Sequence, residues 1–200
     1  MDRKWKFDPI IFWSIVLTCI AGIFTLYTQE VIIENGEGRW YKQLIFFIIG
    51  LIILFTMMRV NYQVLSAIAL PLYGISLFLL VITLIPFIGS EIKGARSWIR
   101  FGGFGFQTSE LAKIATVILL ARYLEIKERE IDKIPSLLIA FSIALVPMLL
   151  IVVQPDLGGA IIFAPVLFSM LFVAGADIYH ISSVVIFTGV SLTIPLYIEY

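Results

Sequence analysis

The chain has 200 residues, of which 60% are hydrophobic and 14% charged, and its formal net charge is zero. A soluble globular domain has about 45–50% apolar and about 25% charged residues, so this composition excludes an ordinary soluble domain and predicts a membrane protein. The zero net charge argues against a nucleic-acid partner. The single cysteine, Cys19, excludes an intrachain disulfide, and the single histidine, His180, cannot build a histidine metal cluster.

Long apolar runs predict an all-α fold: a polytopic membrane helical bundle in one integral membrane domain, 1–200. A hydrocarbon core about 30 Å thick needs about 20 helical residues. The second run is short but is bounded by Lys42 and Arg59, whose side chains can reach the interface. The fourth run depends on a helix start near Thr108 or Ser109, which suit an N-cap. The seven predicted spans are 9–29, 43–58, 64–90, 109–128, 134–153, 157–176 and 178–198.

The basic residues predict the orientation of these spans. Arg3, Lys4 and Lys6 precede the first span, which favours a cytoplasmic N-terminus. On that topology eight basic residues face the cytoplasm and six face the outside. The bias is modest because the segment 93–113 keeps several cations on the outer side.

Two polar segments fall on this predicted outer side, "GARSWIRFGGFGFQTSELAK" at 94–113 and "QPDLGG" at 154–159. The topology therefore places Arg96, Arg100, Glu110, Lys113 and Asp156 on one side of the membrane. A charged residue at membrane depth costs about 3 kcal/mol on insertion scales, so Glu110 and Lys113 indicate a functional site.

Each of these features also has a structural interpretation. Glu110 and Lys113 are three residues apart, which suits an intrahelical ion pair. The stretch "WIRFGGFGF" suits an interfacial aromatic belt with a flexible glycine turn. Asp156 suits a helix cap after a tight turn, and the charge run 122–133 suits a solvated helix end. The sequence contains no zinc, P-loop or hydrolase motif. The residues alone thus predict a membrane protein with a charged outer site but do not predict a reaction.

Taken together, "GARSWIRFGGFGFQTSELAKIATVILLARYLE" and "QPDLGGA" resemble the SEDS family, which includes RodA, FtsW and SpoVE. The family pattern has a Gly-small-x-x-Trp loop, a Gln-Pro-Ser-Glu segment followed by Lys, and a later Gln-Pro-Asp-Leu-Gly turn. Thr108 stands in place of the first proline. The short N-terminal tail and "GARSWI" resemble RodA more than FtsW. The matching positions are Gly94, Ala95, Trp98, Gln107, Ser109, Glu110, Lys113, Gln154, Pro155, Asp156, Leu157 and Gly158.

The resemblance implies a peptidoglycan glycosyltransferase of the bacterial inner (cytoplasmic) membrane. Such an enzyme polymerises lipid II for cell elongation and cell shape, and undecaprenyl pyrophosphate is the leaving group. The family has about ten spans, and its catalytic aspartate lies in the loop after the seventh. That loop would begin beyond Tyr200, so the resemblance assigns no catalytic residue here and implies that the chain alone is inactive. The expected partners are a class B penicillin-binding protein and other cell-elongation membrane proteins.

The resemblance also suggests roles for residues of the two outer segments. Lys113 and Arg100 would help to hold the pyrophosphate, while Glu110 and Asp156 would position the cations or a divalent metal, Mg or Mn. Trp98 and Phe104 would form a floor for the lipid or the sugar. The expected substrate-binding residues are Trp98, Arg100, Glu110, Lys113, Gln154 and Asp156.

Two functions from other classes stay open. Charged residues within a polytopic bundle also suit a headgroup path, which would make the protein a lipid-linked oligosaccharide (lipid II) flippase. The protein would otherwise be a non-catalytic membrane scaffold for a class B penicillin-binding protein. Movement of lipid II across a liposome membrane would identify the first, and binding without turnover would identify the second.

Overall fold

The computed structural model describes residues 8–32, 39–92, 94–101, 104–128, 130–177 and 179–183. The chain divides into two compact units, Met1–Val60 and Asn61–Tyr200. The described part contains helices α1 Pro9–Ile32, α2 Arg39–Met57 and α3 Tyr62–Leu84, strands β1 Gly89–Ile92, β2 Ala95–Phe101 and β3 Phe104–Gln107, and helices α4 Thr108–Lys127, α5 Ile134–Val153, α6 Leu157–Ile161 and α7 Phe163–Val173.

The first unit is an antiparallel pair of helices, α1 and α2. Phe12, near the start of α1, lies 5.9 Å (ring centroids) from Phe55, near the end of α2. Tyr27, near the end of α1, lies 5.8 Å from Trp40, near the start of α2. Of the residues in these two helices only Val16 is buried. Helices that are apolar all round and yet exposed are suited to a lipid environment.

The second unit packs around α4, which contacts α3, α5 and α7. Leu120, Leu137 and Leu171 are buried together where α4, α5 and α7 meet. Two small residues of α4, Ala112 and Ala115, have no exposed surface, and Ala112 is clustered with Leu80 of α3. Small residues let two helices approach closely, and close packing rather than exclusion of water holds helices together in lipid.

The prediction that the charge run 122–133 is a solvated helix end is wrong for Arg122. This residue is half-buried, and its Nη1 donates a hydrogen bond to the Ser66 carbonyl of α3 at 2.7 Å. The next residue, Tyr123, donates its hydroxyl to the Ser136 carbonyl of α5 at 3.1 Å. Both side chains therefore tie α4 to its neighbours.

The third predicted span, 64–90, is too long, because α3 ends at Leu84. The next residue, Ile85, precedes Pro86 and has an extended backbone, with φ −71° and ψ 124°. A proline disfavours helical backbone at the residue before it, which explains the end of the helix. The apolar run then continues through a turn into strand β1.

The sixth predicted span, 157–176, is broken into α6 and α7 at Ile162. Pro165 explains the break, since its ring nitrogen cannot donate to the carbonyl of Ile161, four residues earlier, and its ring clashes with that carbonyl. The seventh predicted span, 178–198, lies almost entirely outside the described residues. Within this span the structure describes only 179–183, which are helical.

Four helices of the described part are long and apolar enough to cross a membrane: α1, α2, α3 and α5. Helix α4 has 20 residues but carries charged side chains toward both of its ends. The all-α fold class is confirmed, since the described part is mostly helical. The sheet is an unpredicted addition: three short antiparallel strands in the order β1-β2-β3.

The turn between α4 and α5 offers a test of pH dependence. Glu130 accepts from Lys127 and Lys133, each at 2.8 Å, and these hydrogen bonds lower its pKa from 4.5 to about 2. Because the folded-state pKa is the lower one, the stabilisation is present above pH 4.5 and is lost as the pH falls through about 2. We expect the melting-temperature difference between the parent and Glu130→Gln to be small, to shrink as the pH falls from 4.5 to about 2 and to vanish only below about 2.

The measurement is a melting curve in detergent at a series of pH values. Glu128→Gln serves as the control, because Glu128 is exposed and forms no ion pair with a described residue. A Glu130→Gln difference that does not shrink between pH 4.5 and about pH 2 would contradict the assignment.

Candidate functional site

The two polar segments of the sequence meet in the structure. Strands β2 and β3 form an antiparallel hairpin in which Trp98 lies opposite Gln107 and Arg100 lies opposite Gly105. The hairpin leads directly into α4. At its other end, the Arg96 amide donates to the Gln154 carbonyl, at the end of α5, at 3.1 Å. The hairpin, the start of α4 and the turn 154–156 therefore form one structural site.

Asp156 is the residue on which these segments converge. Its Oδ1 accepts from the Gly159 amide at 2.9 Å, which caps the short helix α6. Its Oδ2 accepts from Gln107 Nε2 at 3.1 Å and from the Ser109 hydroxyl at 3.5 Å. The predicted helix cap is confirmed, and the same carboxylate also holds the hairpin and α4. The absence of a side chain at Gly159 allows this close approach, because a Cβ there would lie 2.7 Å from Oδ2 and would displace the carboxylate.

Gln154 is fully buried behind this turn. Its Nε2 donates to the Leu80 carbonyl and to the Thr83 hydroxyl of α3, both at 2.8 Å. Its Oε1 has no hydrogen-bond partner among the described residues. Gln154 thus contacts protein groups rather than an open surface, and in this geometry it contributes by fixing α5 against α3.

The buried hydroxyl groups of Thr83 and Thr108 link Gln154 to the hairpin. The Thr83 and Thr108 hydroxyl oxygens lie 3.5 Å apart, and Thr108 donates to the Ser97 carbonyl of β2 at 3.3 Å. We call Ser97, Thr83, Thr108 and Gln154 the buried polar network. Thr108 stands where the family pattern has proline, so its hydroxyl supplies a bond that proline cannot make.

Sequence reasoning missed most of this network. The predicted N-cap role of Thr108 or Ser109 is wrong, because the N-cap of α4 is Gln107 and both hydroxyls bond outside the helix. The available signal was the occurrence of single polar residues, such as Thr83, inside apolar runs. Burying such a group without a partner costs about 1–3 kcal/mol, so it predicts a hydrogen-bond partner but does not identify one.

Glu110 and Lys113 form the ion pair that their spacing allows. Lys113 Nζ lies 2.6 Å from Glu110 Oε1, in the first turns of α4. The Lys113 side chain is 19% exposed, whereas that of Glu110 is 59% exposed. The lysine is therefore largely enclosed by protein, while the carboxylate reaches outward.

The face of the hairpin carries the aromatic and basic residues predicted for it. The Trp98 ring lies over Gly105, where a Cβ would come within 3.1 Å of the ring. Arg96 pairs with Glu91 at 3.6 Å, and Arg100 is exposed. The predicted flexible glycine turn is in part a regular hairpin. The side chain of Phe104 and residues 102–103 lie outside the described part.

The described carboxylates do not form a metal site by themselves. Among the described residues no group of three or more His, Cys, Asp or Glu side chains lies close enough to hold a metal ion. Both oxygens of Asp156 accept from N–H or O–H donors, which leaves this carboxylate poorly suited to a divalent cation. The geometry therefore supports a hydrogen-bonded site.

Comparisons with known proteins cover nearly the whole chain. The profile of a family described as "Cell cycle protein", which groups FtsW, RodA and SpoVE, matches residues 9–199. The chain is 34% identical to "Probable peptidoglycan glycosyltransferase FtsW" of Trichlorobacter lovleyi, over 90% of this chain and 49% of that protein. It is 37% identical to "Stage V sporulation protein E" of Bacillus subtilis, over 89% and 50%. It is 31% identical to "Peptidoglycan glycosyltransferase RodA" of Treponema pallidum, over 96% and 45%.

The fold is also similar to solved structures. One is titled "Structural coordination of polymerization and crosslinking by a peptidoglycan synthase complex", with a TM-score of 0.73 and 30% identity over 92% of this chain and 53% of that one. Another is the rod shape determining protein RodA of Thermus thermophilus, with a TM-score of 0.68 and 29% identity over 91% and 58%. The chain spans about half the length of the curated relatives it matches. Because relatives of all three names match at similar identity, the closer resemblance to RodA stays a prediction.

Proposed function

The chain belongs to the FtsW, RodA and SpoVE family of cell cycle proteins, and from this premise we propose that it is part of a peptidoglycan glycosyltransferase that polymerises lipid II. Its apolar helices and its family make it a multi-pass membrane protein. The observation that carries the proposal is the hydrogen bond from Gln107 to Asp156, at 3.1 Å. It joins the segments 94–113 and 154–159, which carry the family's sequence pattern, into one site.

The proposed reaction forms a bond between the donor sugar and a hydroxyl group of the acceptor. The bond from the donor sugar to its lipid pyrophosphate breaks, and the pyrophosphate leaves with the electron pair. Developing negative charge of this kind is stabilised by positioned cations. Lys113 is suited to this role because it is largely enclosed and its position on α4 is fixed. No residue of this chain is assigned as the base that takes the acceptor proton.

In this proposal Glu110 holds Lys113 until the substrate binds. The pyrophosphate then competes with the exposed Glu110 carboxylate for the Lys113 ammonium group. Arg100 is exposed on the hairpin and supplies a second cation, while Trp98, held over Gly105, supplies an apolar surface. The proposal uses no metal ion.

Charge reversal at Lys113 tests this role. We expect Lys113→Glu, in the protein expressed from its complete reading frame, to lower lipid II polymerisation by about 100-fold or more, as loss of one charge-stabilising group does elsewhere. The double variant Glu110→Lys with Lys113→Glu is the matched control, because it keeps an ion pair but reverses it. We expect the double variant to recover folding, measured as melting temperature, but not activity. Recovery of full activity would show that the pair is only structural.

We also propose that the protein works beside a class B penicillin-binding protein in the bacterial inner membrane, with its N-terminus in the cytoplasm. The similarity to a structure titled as a peptidoglycan synthase complex supports a partner that crosslinks the glycan. The same similarity supports a scaffold as a second candidate function. Co-purification of the partner with normal binding but no polymerisation of lipid II, by the protein from its complete reading frame, would favour the scaffold.

A further inference from the structure

A short apolar turn joins α3 to strand β1, and its side chains point away from the protein. The four residues, "IPFI" at 85–88, are all exposed. The side chain of Phe87 at the tip of the turn is fully exposed. A contiguous patch of exposed apolar side chains, such as these four residues form, marks a surface that meets a membrane or a partner.

The backbone holds this turn in a fixed conformation. Phe87 has φ 84°, in the left-handed region that bulky residues rarely adopt. The Ile85 carbonyl accepts from the amides of Ile88 and Gly89, both at 3.3 Å. Gly89 lies so close to the end of α3 that a Cβ there would be 1.9 Å from the Thr83 carbonyl oxygen. Phe87 is therefore presented by a tightly packed turn.

The position of the turn indicates what surrounds it. Helix α3 has 23 residues, which corresponds to about 34 Å of helix against a hydrocarbon core of about 30 Å. The turn thus begins at the edge of the hydrocarbon core. Just beyond it, Glu91 and Arg96 form an ion pair that is partly exposed. The boundary between apolar and charged side chains falls within a few residues of Phe87.

An exposed apolar stripe connects the turn to the membrane span. Phe78 and Val81 are exposed on the last turns of α3, and Ile85 and Ile88 are exposed in the turn that directly follows, so apolar side chains stay exposed from the helix into the turn. The Ile85 carbonyl has its hydrogen bonds, and Pro86 has no amide hydrogen that needs one. Irregular backbone does not enter the hydrocarbon core, so the backbone of this turn stays at the interface and only its apolar side chains can reach the lipid.

We propose that the Phe87 turn inserts into the outer leaflet and anchors the hairpin β2–β3 at the membrane surface. The occupant of the exposed surface is lipid acyl chain, because the surface is continuous with the lipid-facing stripe of α3. The anchor would hold Trp98 and Arg100 at the level of the lipid headgroups. This inference concerns the membrane and does not depend on the reaction that the protein catalyses.

Spin labelling tests the depth of the turn. The experiment uses the protein from its complete reading frame, in vesicles of phosphatidylethanolamine and phosphatidylglycerol. Cys19, the one cysteine of these 200 residues, and every cysteine elsewhere in the reading frame are replaced by serine, and the label is attached at Phe87→Cys. Labels at Phe78→Cys and Glu91→Cys mark the lipid and the water. We expect the ratio of collisions with oxygen to collisions with a water-soluble nickel complex to be several-fold higher at 87 than at 91. A ratio equal to that at 91 would overturn the proposal, and so would low collision with both reagents, which would indicate a protein contact.

A second pair of variants tests whether Phe87 itself is the anchor. With the label at Ile88→Cys, Phe87→Asn tolerates the left-handed backbone but removes the apolar side chain. Phe87→Trp keeps a large apolar ring and serves as the control. We expect Phe87→Asn to move the label toward water by a several-fold change in the collision ratio and Phe87→Trp to leave it in place. No difference between the two variants would overturn the role of Phe87.

Discussion

We expect Asp156→Asn to lower lipid II polymerisation by about 100-fold, because a displacement of about 1 Å near a reacting centre has an effect of that size. The new side chain keeps an oxygen that can accept from the Gly159 amide, so the cap of α6 survives. In the parent protein, Gln107 Nε2 donates to the Asp156 carboxylate at 3.1 Å. In the variant, the new amide nitrogen takes the place of that carboxylate oxygen. Gln107 can keep a bond only by turning its amide so that Oε1 accepts, which replaces a charge-assisted hydrogen bond with a weaker neutral one and turns Nε2 away from the Ser97 hydroxyl, 3.5 Å away.

The companion variant Gln107→Glu makes this prediction sharper. Combined with Asp156→Asn, it reverses the direction of the hydrogen bond, so that the new amide donates and the new carboxylate accepts. If Asp156 acts by positioning the hairpin and α4, the double variant recovers a substantial part of the activity. If Asp156 contacts the substrate through its own charge, the double variant stays inactive, and the positioning role assigned here is wrong.

Polymerisation is measured with purified lipid II in proteoliposomes, using the protein from its complete reading frame. Melting temperature separates loss of folding from loss of activity. Ser109→Ala removes the longer contact to the same oxygen, at 3.5 Å, and is expected to have a much smaller effect. A Ser109→Ala variant as inactive as Asp156→Asn would contradict the importance assigned to Gln107.

The helices could be predicted from the sequence because the bilayer requires long apolar runs. Span 134–153 and helix α5, Ile134–Val153, have the same bounds. The predicted limits failed where a local rule competed with hydropathy. Pro86 ends α3 through its effect on Ile85, and Pro165 breaks the sixth span, although both prolines lie in apolar segments.

The site was predictable in its parts but not in its connections. Topology placed the segments of Glu110 and Asp156 on one side of the membrane, and the spacing of Glu110 and Lys113 allowed the ion pair that forms. Strand β2, "ARSWIRF", was missed because its buried positions include Ser97, which gives no apolar alternation. The bonds of Gln154 to α3 span more than seventy residues, and such pairings depend on how three elements pack.

The second large effect is expected on stability, at Gln154. We expect Gln154→Ala to lower the free energy of unfolding by about 3 kcal/mol, because it leaves a cavity and removes two buried hydrogen bonds. Gln63→Ala is the matched control: it makes the same chemical change at an exposed position of α3, with an expected effect within about 0.5 kcal/mol. Equilibrium unfolding in mixed micelles, followed by circular dichroism, measures both. Equal effects of the two substitutions would contradict the assignment.

A double-mutant cycle separates the hydrogen bond from the cavity. Gln154→Leu and Thr83→Val each nearly conserve volume, and each alone leaves its partner without the 2.8 Å bond between Gln154 Nε2 and the Thr83 hydroxyl. Each group keeps its other bond, to the Leu80 carbonyl, so each single change leaves one buried hydrogen-bonding site unmet, whereas both changes together remove both sites. We therefore expect the double variant to be more stable than the sum of the single effects, by about 1 kcal/mol. Additive effects would mean that this contact is not what holds α3 against the turn that carries Asp156.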